Sequence, residues 1–156
     1  MRTLEVHVSP GAGGILELRF VLEAQVDRVR IPAPRANARR DELWKHTCFE
    51  AFVAEDANAA YRELNFAPSS EWALYSFTGY RQGMAVPETA DPEIRVERAA
   101  QQLTLHARAQ TGLARARFLA LAAVIEDENG RLSYWALRHP PGKPDFHHPE
   151  SFLSLT

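Results

Sequence analysis

One cysteine, Cys48, stands in 156 residues, so no internal disulfide can form and the fold must hold together by burying apolar surface. The length permits this, because a domain of this size buries roughly 68% of the surface that its unfolded chain exposes. Cys48 is followed by Phe49-Glu50-Ala51-Phe52-Val53, a run in which a small thiol is expected to pack rather than react. Lysine is nearly missing: Lys45 and Lys143 are the two present, and the other cationic residues are arginine. The 18 basic and 20 acidic residues leave a formal charge of −2, which argues against a nucleic-acid partner. No run approaches the roughly 18 apolar residues that a spanning segment needs, so no membrane partner is expected. Residues 1–8 read as a first strand rather than as a basic region followed by an apolar leader, which makes the cytoplasm the expected location. Also missing are a His-Glu-Xaa-Xaa-His zinc motif, a phosphate loop and a Gly-Xaa-Ser-Xaa-Gly elbow, so no motif names a reaction.

What is present is alternation. Most segments that look regular have a period of two rather than 3.6, and the candidate strands are 3–8, 15–22, 26–31, 47–53, 61–66, 72–77, 94–98, 103–109, 118–126 and 132–137. Turn-forming sequences separate the runs: Ser-Pro-Gly-Ala-Gly-Gly at 9–14, Pro-Ala-Pro at 32–34, Ala-Pro-Ser-Ser at 67–70 and Glu-Asn-Gly at 128–130. The last joins two runs in an expected hairpin, with Asn129-Gly130 able to supply positive φ. Two stretches compete as helices. Residues 54–60 are too short for more than a turn or two and read as a connection, while 99–123 is alanine-rich but broken by Thr111-Gly112 and reads as two strands around a turn. Without a helix between successive strands, the expectation is all-β: a single curved β-sandwich over 1–156, with about nine to eleven mostly antiparallel strands.

Chemistry concentrates in two blocks, residues 43–84 and 134–148. Alternation puts Glu50 on one side with Cys48 and Phe52, puts Tyr61, Glu63 and Asn65 together, and turns Leu64 and Phe66 toward the core. A short connection joins these runs, so Glu50, Glu63 and Asn65 are expected on one face in one polar cluster. Glu50 has apolar neighbours and needs a hydrogen bond or a cation, for which Arg81 and Arg138 are candidates. Trp44, Trp72, Tyr75, Tyr80, Tyr134 and Trp135 sit at strand ends or beside turns, where a ring can pack and still be reached. Flat rings beside carboxylates and amides suit a sugar-like ligand, and Trp44, Trp72 and Trp135 are the aromatic residues selected for that role. In the second block His139, Asp145 and His147 could ligate a metal if the Pro140–Pro144 turn folds back, against the plainer reading of a capped turn with structural histidines.

The blocks at 43–53, 61–69, 72–84 and 133–148 resemble the bacterial DOMON-like proteins, grouped near the family-9 carbohydrate-binding-module fold. The resemblance implies a curved β-sandwich whose members bind sugars or haem on one concave sheet. Trp44, Glu50, Glu63, Asn65 and Trp135 best match its recurrent elements. A haem would require an axial Met and His, here Met84 with one of His139, His147 or His148. The sugar-binding relatives are commonly secreted modules attached to hydrolases, and this chain shows neither feature, which leaves a smaller polyhydroxylated or anionic metabolite open. The resulting expectation is noncatalytic binding of a small polar, sugar-like ligand, with Trp44, Trp72 and Trp135 for apolar contact and Glu50, Glu63, Asn65 and Arg81 for polar selection. No cofactor is expected, with a metal or haem as the exceptions. The alternatives are a protein-interaction module without a small ligand, and a metal-dependent enzyme acting on a polyhydroxylated substrate.

Overall fold

Nine of the ten alternating runs become strands. The computed structural model describes residues 3–56, 60–136 and, for the backbone alone, 153–154. One sheet is four-stranded, in the order β1 (Thr3–Pro10), β2 (Ile15–Glu23), β7 (Gln102–Gln110), β6 (Glu93–Arg98). The other is six-stranded. It runs from β8 (Phe118–Glu126) through β3 (Cys48–Ala54) and β4 (Tyr61–Phe66) to β5 (Trp72–Phe77). Two further strands share the free edge of β8: β9 (Leu132–Ala136) pairs Ala122–Glu126, and β10 (Leu153–Ser154) pairs Phe118–Leu119. Every strand pairing is antiparallel, and the result is the expected all-β sandwich.

The two sheets differ in burial because their sequences differ in alternation. In β2, Leu16, Leu18, Phe20 and Leu22 are buried while Glu17, Arg19 and Glu23 are exposed, as a sheet covered on one face requires. In β3 all seven residues are buried, so the central strand of the larger sheet is covered on both faces. Its odd-numbered residues, Phe49, Ala51 and Val53, join Leu64, Phe66, Leu121 and Ala123 in the core between the sheets. There Phe20 meets Phe49 with ring centroids 5.1 Å apart. Its even-numbered apolar residues, Cys48 and Phe52, join Tyr61, Tyr75, Phe77 and Ala122 in a second cluster on the outer face. The segment leading into β3 helps cover that face. It runs beside β5, with the Trp72 amide donating to Ala38 and the Arg40 amide to Trp72, before Leu43 enters the second cluster.

The run at 26–31 is the exception among the expected strands. It forms a 3-10 turn at Val26–Arg28, followed by one isolated bridge from Val29 to Asp127. Val26 and Val29 are the buried residues, three apart, which is the spacing of a 3-10 turn and not of a strand. Thr47 holds this segment in place: its hydroxyl donates to the Arg30 carbonyl at 2.8 Å and accepts from the Glu126 amide at 3.0 Å. The β8–β9 hairpin forms as expected, with Gly130 at φ 78 and the Asp127 carboxylate accepting from the Asn129 and Arg131 amides. Part of the 54–60 connection lies outside the described residues.

Phe20 is fully buried and Arg19 beside it is exposed, which makes a matched pair of tests. Phe20→Ala should cost about 3–5 kcal/mol in denaturant unfolding. Arg19→Ala should cost less than about 0.5 kcal/mol. Equal losses from the two substitutions would mean that the faces of β2 have been assigned wrongly.

Candidate functional site

The outer face of the six-stranded sheet carries a cavity of about 700 Å³. Its floor is Glu50 and Phe52 from β3, Glu63 from β4, Tyr75 and Phe77 from β5, and Val124 from β8. Its walls come from two irregular segments that both bridge to β5: Asp41, Glu42 and Trp44 before β3, and Arg81, Met84 and Val86 after β5; Tyr134 of β9 adds to them. Trp44 keeps 42% of its surface accessible, so its ring is both packed and available.

The register of β3, β4 and β5 fixes the floor. Glu50 stands directly opposite Asn65, and Glu63 stands opposite Phe52 on one side and Tyr75 on the other. Glu50 and Glu63 are therefore diagonal neighbours on a single face, as alternation predicted. Glu50 is 3% exposed, Glu63 5% and Asn65 0%. Burial pushes the Glu63 carboxyl up to about 7, with the Asn65 amide and the Arg81 guanidinium pulling the other way. Burial raises Glu50 well above the usual carboxylate range, and the charge of Glu63 raises it further. Two such groups so close resist ionising together. The same burial, followed by the two carboxylates, raises Cys48 and keeps it a thiol, which accords with a packing role.

Glu50 has no hydrogen-bond or ion-pair partner among the described residues. Asn65 is in the same position. Its amide lies near enough to Glu63 to favour the anion, yet neither Nδ2 nor Oδ1 meets hydrogen-bond geometry with any described group. Buried polar atoms left this way are rare, because each one costs the desolvation that a partner would have offset.

The walls are better satisfied. The Tyr75 hydroxyl donates to Asp41 at 2.7 Å, and Arg39 donates to the same oxygen at 3.0 Å while its guanidinium lies 5.5 Å from the Tyr75 ring centroid. The Tyr75 hydrogen bond is the largest influence holding Asp41 below its ordinary value. Trp44 meets Tyr75 edge-on at 6.5 Å, and Glu42 pairs with Lys45 at 2.9 Å. Tyr61 stacks on Phe77 at 4.8 Å, and its hydroxyl accepts from the Arg81 amide at 3.1 Å. Glu42 and Arg81 both adopt left-handed backbone, at φ 64 and 51, an uncommon choice for residues other than glycine. At Gly83, φ is 65 and an added Cβ would overlap the Thr78 side chain, so the loop bearing Arg81 and Met84 depends on glycine there.

The structure brings together Trp44, Glu50, Glu63 and Arg81 of the residues selected from sequence, with Asn65 beside them on the same face. It separates Trp72 and Trp135 from them. Trp72 is paired with Phe66 and lies in the core between the sheets, its indole donating to Asn37 at 3.0 Å. Trp135 is paired with Ala123, also a core residue, and packs against that core, leaving Tyr134 to face the cavity. Asp41 and Phe77 were missed as site residues, and Tyr75 and Tyr134 were noted as aromatics without being selected. The parity of β5 predicts Tyr75 and Phe77 once Glu63 is placed. His139, Asp145 and His147, with Arg138 and His148, lie outside the described residues. Among the described residues no group of three or more His, Cys, Asp or Glu side chains could hold a metal, and no helix is long and apolar enough to cross a membrane.

A second depression, of about 420 Å³, crosses the exposed face of the four-stranded sheet, where His7, Arg19, His106 and Arg95 form one cross-strand row. Acidic residues flank the row and pair across it, Glu17 with Arg108 at 3.2 Å and Glu97 with both His106 and Arg95. This is a solvated charge ladder, without the buried, unpartnered groups of the larger cavity.

No protein-family profile matches the chain, and no curated protein matches it. A solved structure does. It is that of a Bacteroides uniformis protein named "putative carbohydrate-binding protein", which superposes with a TM-score of 0.62 over 97% of this chain and 85% of its own, at 10% sequence identity. At that identity the likeness establishes a shared β-sandwich fold.

The buried carboxyl pair has a signature in stability. Below the unfolded-state pKa of a glutamate, both states hold the proton and stability is at its full value. As pH rises toward 7 the folded state retains a proton that the unfolded state releases, so each unit of pH costs stability until the folded carboxyl has also ionised. Glu63→Gln should remove this loss. The variant should match the wild type near pH 4 and exceed it by up to roughly 3 kcal/mol near pH 8, measured by urea unfolding. A difference that does not grow with pH would show that the carboxyl is well solvated.

Proposed function

We propose that the protein binds a small polar, sugar-like ligand, without transforming it, in the cavity on the outer face of its six-stranded sheet. The observation that carries this reading is Glu50, a buried carboxyl without a described partner in a cavity also lined by the rings of Trp44, Phe52, Tyr75, Phe77 and Tyr134. Rings suit the C–H faces of a polyol, and buried carboxyls select for the positions of its polar groups. Trp44 and Tyr134 supply apolar contact, while Glu50, Glu63 and Arg81 supply the directed polar contacts, with Asn65 beside them. The resemblance to DOMON-like and family-9-module-like domains supports the same reading, as does the name of the Bacteroides uniformis protein. A binding role suits the carboxyl geometry. Glu50 and Glu63 rise side by side from one floor, where both can meet one polar group of a ligand.

Titration against a library of mono- and oligosaccharides and polyols tests the assignment. Trp44→Ala and Tyr134→Ala should each weaken the binding found by about tenfold, the equivalent of roughly 1.4 kcal/mol. Saturable binding that neither change affects would place the ligand elsewhere on the molecule.

A further inference from the structure

We infer that the ligand of this cavity carries a protonated amine, an amino sugar or a comparable polyhydroxylated ammonium, whose charge is received by Glu50 and Glu63 between aromatic side chains. The inference rests on the reading of the cavity as a ligand site and names the chemistry of what enters it.

The charges around the cavity are unevenly compensated. Among the described residues four carboxylates line it, those of Asp41, Glu42, Glu50 and Glu63, against one guanidinium, that of Arg81. Three of the four have a cation at hand: Arg39 for Asp41, Lys45 for Glu42 and Arg81 for Glu63. Glu50 has none among the described residues, although it is the most deeply buried of them. Opposite it stands Asn65, whose side-chain oxygen is a buried acceptor without a described donor. An ammonium group brings three N–H donors and one positive charge. It could therefore meet both glutamates and compensate Glu50 at once, which a neutral hydroxyl cannot do. Aromatic faces complete the match, because a desolvated cation gains from ring electrons, and Phe52, Tyr75, Phe77 and Trp44 surround the same space. An anionic ligand would meet an excess of carboxylates among the described lining residues.

The same arrangement sets the response to pH. Among the described residues, the titratable groups beside Glu50 or lining the same cavity are Cys48 on its own strand, Glu63 on β4, Tyr75 on β5, Asp41 and Glu42 before β3, Arg81 after β5 and Tyr134 on β9, and the adjoining β8 contributes the apolar Ala122 and Val124. Burial keeps Cys48 a thiol, and Asp41 is held as an anion by Tyr75 and Arg39. Near neutral pH the change in charge therefore falls on the Glu50–Glu63 pair. A cation must displace a proton from that pair, so its affinity rises with pH. A neutral polyol that accepts hydrogen bonds from the protonated pair binds more weakly as pH rises.

Three probes with one carbon skeleton separate these cases: glucamine, whose amine stays protonated, neutral glucitol and anionic gluconate, each titrated by calorimetry from pH 5.5 to 8.5. Glucamine should bind at least tenfold more tightly than glucitol at pH 7.5, its affinity should rise across the range, and gluconate should bind most weakly. Glu50→Gln and, separately, Glu63→Gln should abolish the preference for the amine, with the cooperative unfolding of each variant checked alongside. Trp44→Ala should weaken glucamine and glucitol alike. Equal or tighter binding of glucitol, or a preference for gluconate, would overturn the ammonium inference and leave the sugar-like reading standing. Binding of ethanolamine, a primary ammonium without the polyol skeleton, as tightly as glucamine, with no binding of any neutral sugar or polyol, would uphold the ammonium inference and overturn the sugar-like reading. No binding of glucamine at millimolar concentration would overturn the inference outright.

Discussion

A strand buried on both faces cannot give a carboxylate access to bulk water, and the site depends on that constraint. β3 pairs on both sides and is covered above and below, so every side chain on it is either packed or enclosed. Phe49, Ala51 and Val53 meet this demand as core residues. On the opposite face Cys48 and Phe52 meet it in the same way, and Glu50 between them does not. Placing a second glutamate diagonally across on β4 makes the conflict worse, because each carboxyl raises the cost of ionising the other. The cavity above them is the remaining direction from which a compensating group can come.

The two sheets divide their tasks accordingly. The four-stranded sheet has one dry face and one wet face, and its wet face spreads charge in alternating cross-strand rows that satisfy one another. It supplies Phe20, Leu22, Leu103 and Leu105 to the core and has no need of further cover. The six-stranded sheet uses that core as a rigid base and devotes its second face to the cavity. Its floor groups sit on paired strands, where the ladder sets their spacing, while its walls come from irregular segments that can present side chains at other angles. Glu42 and Arg81 hold left-handed backbone in the two wall segments, the kind of local strain that surrounding structure must sustain.

Much of this was legible in the sequence, and the reason is local periodicity. The limits of β4, β5 and β8 coincide with strand-like runs in the sequence, and the common face of Glu50, Glu63 and Asn65 follows from a period of two. Errors arose where periodicity is silent. At 26–31 a Val-Xaa-Xaa-Val spacing was read through a strand template, although its two buried valines are three apart. That Tyr134 and not Trp135 lines the cavity depends on how the Asp127–Gly130 turn sets the register of β9 with β8, and composition does not reveal that. Trp72 begins its strand opposite Phe66 and so inherits the core face, whereas an aromatic side chain at a strand end looked free to turn outward. Asp41 and the conformations of Glu42 and Arg81 belong to irregular backbone, where neither period nor residue type announces the geometry.

The choice of glutamate in the floor, rather than glutamine, bears on what the cavity receives. Glutamine has nearly the same shape, offers both a donor and an acceptor, and carries no charge to desolvate, so hydrogen bonding to neutral hydroxyls could be met at lower cost. What glutamate adds is the capacity to become an anion. In the free protein that capacity is a burden, since burial raises both Glu63 and Glu50 above the usual carboxylate range. It becomes useful when the incoming group is itself a cation that replaces the proton, because the pair then gains an attraction that low local polarity strengthens. The unpartnered Asn65 amide beside the pair fits the same logic, as an acceptor without a described donor of its own. The floor thus bears a cost in the unbound state that a cationic ligand would offset more fully than a neutral one.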